Sequence, residues 1–150
     1  MANQCAECGA SLSQDSSCQS IFESFLVLEF TDPGYGEVHL LTVACYMIQH
    51  GRYSDEALTW IEQKLHDYLE DGMPAWHIRQ EAAKEADQVK RTWKVNRQPD
   101  ARRLPKIAWS MTIAEVAASY QDAESYCELV KQWARATLDE MKPLLMAGSS

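Results

Sequence analysis

Cys5 and Cys8, spaced as Cys-Ala-Glu-Cys and followed by Gly9, are the residues of this chain best placed to do chemistry. Two thiolates in a C-x2-C turn reach one metal ion, and a following glycine permits the tight backbone that aims amides at the sulfurs. Zinc takes four ligands at tetrahedral angles. Cys18 stands close by in sequence, at the start of a predicted helix, where the helix N-terminus favours thiolate over thiol. The competing readings are a pair of surface thiols without metal and redox or iron–sulfur chemistry. A redox C-x-x-C belongs beside a βαβ pattern, and none surrounds this one.

The fourth ligand follows from the elements that must bring it in. A first helix is predicted to start near Ser16 or Ser17, with Ile21, Phe22, Phe25, Leu26 and Leu28 at helical spacing, and to end at Asp32-Pro33-Gly34. A second is predicted from about Tyr35 to His50, with Gly51 just past its end. It is apolar on most faces, so it belongs at the centre of the fold. A short turn between the two makes them antiparallel neighbours. The second helix therefore ends beside Cys18, and its last residue is His50. His39 shares the face of His50 but lies about 16 Å away along the axis, too far for one ion. The expected zinc set is Cys5, Cys8, Cys18 and His50.

The same register pairs Phe22 with Tyr46, Phe25 with Val43, and Glu29 with His39, because Cys18 and Glu29 are separated by the same eleven residues as His39 and His50. A carboxylate beside an imidazole fixes its tautomer and raises its basicity. Glu29, His39 and Tyr46 are thus candidates for acid–base or metal-dependent catalysis. The plainer reading is an ion pair that fastens the helix hairpin. His66 and His77 read as solvated or cap-adjacent.

Beyond the hairpin, a third helix is expected from Ser54, with Leu58, Ile61, Leu65 and Tyr68 inward. A fourth is expected after Pro74, on Ala82, Ala86, Val89 and Trp93. Residues 96–111 read as a basic linker. Thr112-Ile-Ala-Glu115 reads as a capping box, and Asp122 caps a last helix carrying Tyr126, Val130, Trp133, Ala134, Leu138 and Met141. The expected fold is all-α, a single domain over residues 1–150 with five to six helices. In it, 1–17 form a zinc-binding loop and 18–50 a helical hairpin.

Composition narrows the function classes. The net charge of −8 disfavours nucleic acid. Between Lys90 and Lys106, however, seven Lys and Arg face one Asp, a net +6 that leaves −14 on the rest. A basic connector over acidic helices is the plain reading, and an anion or phosphate contact the sharper one. No apolar run reaches the length of a membrane span, since Glu29 interrupts the stretch around Phe25 to Phe30. An odd cysteine count with no leader-like N-terminus argues for reduced thiols and a cytoplasmic protein.

Cys5-Ala-Glu-Cys8-Gly9, Cys18, Phe22, Glu29, Tyr35-Gly-Glu-Val-His39-Leu-Leu-Thr-Val and Tyr46-Met-Ile-Gln-His50 together resemble a family of bacterial helical proteins of unknown function. Its later pattern is matched by Thr112 to Val116 and by Val130-Lys-Gln-Trp133-Ala134. The resemblance implies the fold and the cysteine site, and carries no activity. The expected function is a non-enzymatic, zinc-stabilised module that binds a protein or small ligand. The closed Cys3His set leaves no coordination position for a substrate. The alternative is an enzyme built on Glu29, His39 and Tyr46.

Overall fold

The computed structural model describes residues 3–74, 76–78, 80, 81, 83, 84 and 94–146. The expected stripe Ala82, Ala86, Val89 and Trp93, and the basic residues Lys90 and Arg91, lie outside them. The architecture is mostly helical, but the all-α expectation misses one element. Residues 1–17, expected as an irregular loop, contain two short strands, β1 (Asn3–Gln4) and β2 (Ser11–Leu12), paired antiparallel with Asn3 opposite Leu12. Strands of two residues leave no alternating pattern to read. The hairpin is tucked in by its far arm, where Cys8, Ala10 and Leu12 are buried.

Helix α1 spans Cys18–Thr31 and starts where its cap predicts. The Ser17 side chain accepts from the Ser20 amide, and the Ser20 hydroxyl side chain reciprocates. Asp32-Pro33-Gly34 does more than end it. Asp32 caps a separate short helix α2 (Pro33–Gly36), and α3 (His39–Gln49) follows after a turn at Glu37 and Val38. The continuous helix expected from Tyr35 is therefore broken. Gly36 shows the constraint at this bend: a Cβ there would stand 2.6 Å from the backbone carbonyl oxygen of Glu29. This close approach brings the start of α3 over the end of α1. Gly36→Ala must push the two apart, and a loss of about 1–3 kcal/mol is expected, read as a lower urea midpoint at unchanged slope.

Helix α3 is the central element, with Leu41, Thr42, Ala44, Cys45, Tyr46, Ile48 and Gln49 all buried. Gly51 ends it in the left-handed conformation (φ 63°), and the Gly51 and Arg52 amides donate back to the Ile48 and Met47 carbonyls. Helix α4 (Asp55–Leu69) is capped by Ser54 and buries Leu58, Ile61 and Leu65. Trp76, His77, Ile78, Gln80, Glu81, Ala83 and Lys84 are helical, just after Pro74. Residues 94–111 form no helix. Helix α5 (Ile113–Ser119) carries the predicted capping box of Thr112 and Glu115. Helix α6 (Ala123–Glu140) is capped by Asp122, and a short α7 (Lys142–Met146) closes the described chain.

The core gathers between α3 and α6, with Trp133 and Tyr126 its largest fully buried side chains. Buried Gln49 crosses this interface, donating to the Met111 carbonyl (2.9 Å) and the Thr137 hydroxyl (3.0 Å). Among the described residues no helix is long and apolar enough to cross a membrane.

Candidate metal centre

The backbone of the C-x2-C turn is set by Gly9. Its φ of 81° lies in the left-handed region, where a side chain is strained, although a Cβ would meet nothing within 4 Å. That conformation turns the chain so that the Gly9 amide donates to the Cys5 carbonyl (3.0 Å) and the Cys5 amide to the Ala10 carbonyl (2.9 Å). Cys5 and Cys8 thereby face the same side as the first residue of α1, Cys18, and the residue just past α3, His50.

The four candidate ligand atoms all lie within 4.8 Å of one another and could hold a metal ion. Cys8 Sγ is 3.6 Å from Cys18 Sγ, and Cys5 Sγ is 3.7 Å from His50 Nε2. The His50 ring is oriented from behind. Its Nδ1 sits 2.8 Å from the Tyr46 carbonyl, so Nδ1–H donates there and Nε2 is left to face the sulfurs. Cys8, Cys18 and His50 are buried, and Cys5 is partly exposed.

Protons are shared unevenly in this cluster when no cation occupies it. The hydrogen bond from Cys18, against the opposing effect of burial and with help from His50, lowers the Cys8 thiol to about 4. Cys18 is driven the other way by its bond to Cys8, by burial and by the nearby Cys5. Burial disfavours a charged His50, yet the bonds to Cys8 and the Tyr46 carbonyl outweigh it and raise the ring to about 8.

The register of the hairpin runs on from this end. Phe22 stacks on Tyr46 with centroids 4.0 Å apart and planes 2° from parallel, and Tyr46 stacks in turn on His50 at 4.3 Å. Phe25 is buried and meets Tyr120 and Tyr126 edge-on. At the far end His39 Nδ1 lies 2.7 Å from Glu29 Oε1.

The profile of a family described as "Family of unknown function (DUF5946)" matches residues 3–142. The chain belongs to that family. No curated protein and no solved structure matches it. The matched span holds all four residues of the cysteine–histidine cluster and both members of the Glu29–His39 pair.

Glu29 has two further partners that no local spacing in the sequence indicates. Its side chain is fully buried, and it accepts from the Thr42 hydroxyl (2.6 Å) and the Tyr126 hydroxyl as well as from His39. Burial, and then the Glu29 carboxylate, hold the Tyr126 phenol far above its ordinary value, so it stays a donor. Tyr126 was legible only as a core residue of α6, and nothing in the spacing linked it to Glu29, 97 positions earlier. Tyr46, by contrast, does not join Glu29 and His39. It sits two turns along α3, in the stack against His50. Of the three candidates, Glu29 and His39 are brought together, with Thr42 and Tyr126 around the carboxylate, while Tyr46 stands in the stack beside His50. His66 pairs with Glu62 and Glu70 along α4, and His77 with Glu81.

Proposed function

We propose that this chain is a zinc-binding helical protein of one domain, non-enzymatic, whose zinc is structural and whose folded surface binds a protein or small ligand in the cytoplasm. The observation that carries the reading is the convergence of Cys5, Cys8, Cys18 and His50 from three separate elements onto one point. Ligands held tetrahedrally at zinc–sulfur and zinc–nitrogen bond lengths lie about 3.5–3.8 Å apart. Two of the six separations here, 3.6 Å and 3.7 Å, fall in that range, and all six are within 4.8 Å. Three thiolates and one imidazole fill the coordination shell, leaving no position for a substrate, which is the habit of structural zinc. The carbonyl behind His50 supplies the outer contact that such histidines use.

The placement explains what the metal would do. A two-stranded hairpin of this length is not stable alone. A single ion bound by Cys5 and Cys8 on one side, and by Cys18 and His50 on the other, ties that hairpin to both helices of the next one. The Arg52–Glu7 pair spans the same joint, but both side chains are about half exposed, so its contribution is small.

Elemental analysis of tag-free protein is expected to give one zinc per chain, falling to a small fraction in Cys8→Ser. Full-length protein without metal, prepared in the presence of zinc, would remove the proposal.

A further inference from the structure

The basic segment singled out in the sequence remains without a role in the zinc site, yet it lies directly beside it. From Lys94 onward the chain is strapped to the turn after α3. The Ser54 amide donates to the Val95 carbonyl (2.9 Å), the Arg97 amide to the Arg52 carbonyl (2.7 Å), and Tyr53 bridges Asn96. Between this strap and the end of α3 opens a cleft of about 700 Å³. Arg52, Arg97, Arg102 and Arg103 line it, Tyr46 and Met47 give it apolar wall, and Glu7 is the one acid among the lining residues.

The arginines are incompletely neutralised. Arg97 and Arg102 share a single carboxylate, Asp55, with contacts of 2.8–3.0 Å. The bonds from the two guanidiniums outweigh the effect of burial and lower the Asp55 carboxyl, so it is ionised and its one charge faces two guanidiniums. Arg102 also has a buried Nη1 without a hydrogen-bond partner among the described residues. Arg103 is exposed and makes no hydrogen bond or ion pair with the described residues. Among the described residues the Arg52 side chain has only the exposed pair with Glu7. Arg97 and Arg102 also donate to the Tyr53, Arg102 and Leu144 carbonyls, so the donors left over are those of Arg103, the exposed Arg52 and Nη1 of Arg102; in a chain of net charge −8 this positive charge in a concave site is local and oriented.

We infer that this cleft is a binding site for a small phosphate-bearing molecule, its phosphate held by Arg102 and Arg103 beside the turn that carries His50. Guanidiniums present planar donor forks that match phosphate oxygens, and a phosphate dianion balances the charge that Asp55 and Glu7 leave over. The cleft exceeds what a bare phosphate fills, so room remains against Tyr46 and Met47 for the rest of the molecule. A long nucleic acid is opposed by the acidic remainder of the surface. The inference does not depend on the identity of the metal, because Arg103 belongs to none of the candidate ligands.

The test is a proton–nitrogen NMR titration of the full-length, metal-loaded protein with inorganic phosphate, at ionic strength held constant with chloride. Saturable shifts are expected at Gly51, Arg97 and Arg103. Arg103→Gln should weaken binding about tenfold, the size of one lost charge-assisted hydrogen bond, while Lys142→Gln on α7 should leave it unchanged. Shifts no larger than those from chloride, or equal binding by Arg103→Gln, would overturn the site. Acetate binding as tightly as phosphate would overturn the ligand class. A short single-stranded oligonucleotide that binds at lower concentration than phosphate and shifts the same residues would replace a small molecule with nucleic acid.

Discussion

Stripping the metal from the folded protein with a chelator is expected to lower its melting temperature by about 8–16 °C. Ligand held at roughly a thousandfold above its dissociation constant stabilises the folded state by about 4 kcal/mol, and a chain of this size shifts by about 2–4 °C per kcal/mol. The loss should be uneven. If the proposed ion is bound, it is the main anchor of residues 3–12 and the first turn of α1, helped by the burial of Ala10 and Leu12, the Ser17 cap and the exposed Arg52–Glu7 pair. Amide exchange should accelerate there, while the middle of α6, buried around Trp133, keeps its protection. With the dication gone, three sulfurs and an imidazole are left to share protons, and metal binding should release protons on reloading. An unchanged melting temperature after verified metal loss would make the site dispensable to the fold.

The second large effect belongs to Glu29. Glu29→Ala removes an enclosed carboxylate that three donors share and strands the buried Tyr126 hydroxyl, while the Thr42 hydroxyl keeps the Val38 carbonyl and the His39 ring reaches solvent. Breaking a buried charged network in this way costs about 3–5 kcal/mol. His39→Ala should cost less, about 1–2 kcal/mol, because the imidazole is a third exposed and two hydroxyls still satisfy the carboxylate. The ordering Glu29→Ala above His39→Ala, measured by urea unfolding, is the signature of a structural clamp. A Glu29→Ala protein within about 1 kcal/mol of wild type would show that the network contributes little to stability, and would reopen a functional role for the pair.

How far the sequence carried this picture depended on whether the signal was local. Ser17, Ser54, Thr112 and Asp122 each cap the helix expected of them, since a cap is decided within one turn. The meeting of Cys18 with His50 and of Glu29 with His39 was also readable. A short turn fixes the direction of two helices, and equal eleven-residue separations fix their register. Outcomes set by distant contacts were not readable. Thr42 and Tyr126 could be assigned to the core from periodicity, but periodicity names a buried face and not the partner across it. The break between α2 and α3 depends on Gly36 abutting the backbone of α1, a tertiary fact. The basic stretch showed its charge in the sequence. Its concavity, and the sharing of Asp55 by two arginines, appear only once α4 and the strap are side by side.

X-ray absorption at the zinc edge on tag-free protein reads out whether Cys5, Cys8, Cys18 and His50 hold one zinc. One zinc per chain is expected, with a first shell of three sulfurs at about 2.3 Å and one nitrogen at about 2.0 Å. A shell of oxygen and nitrogen alone, or the absence of stoichiometric zinc, would contradict it.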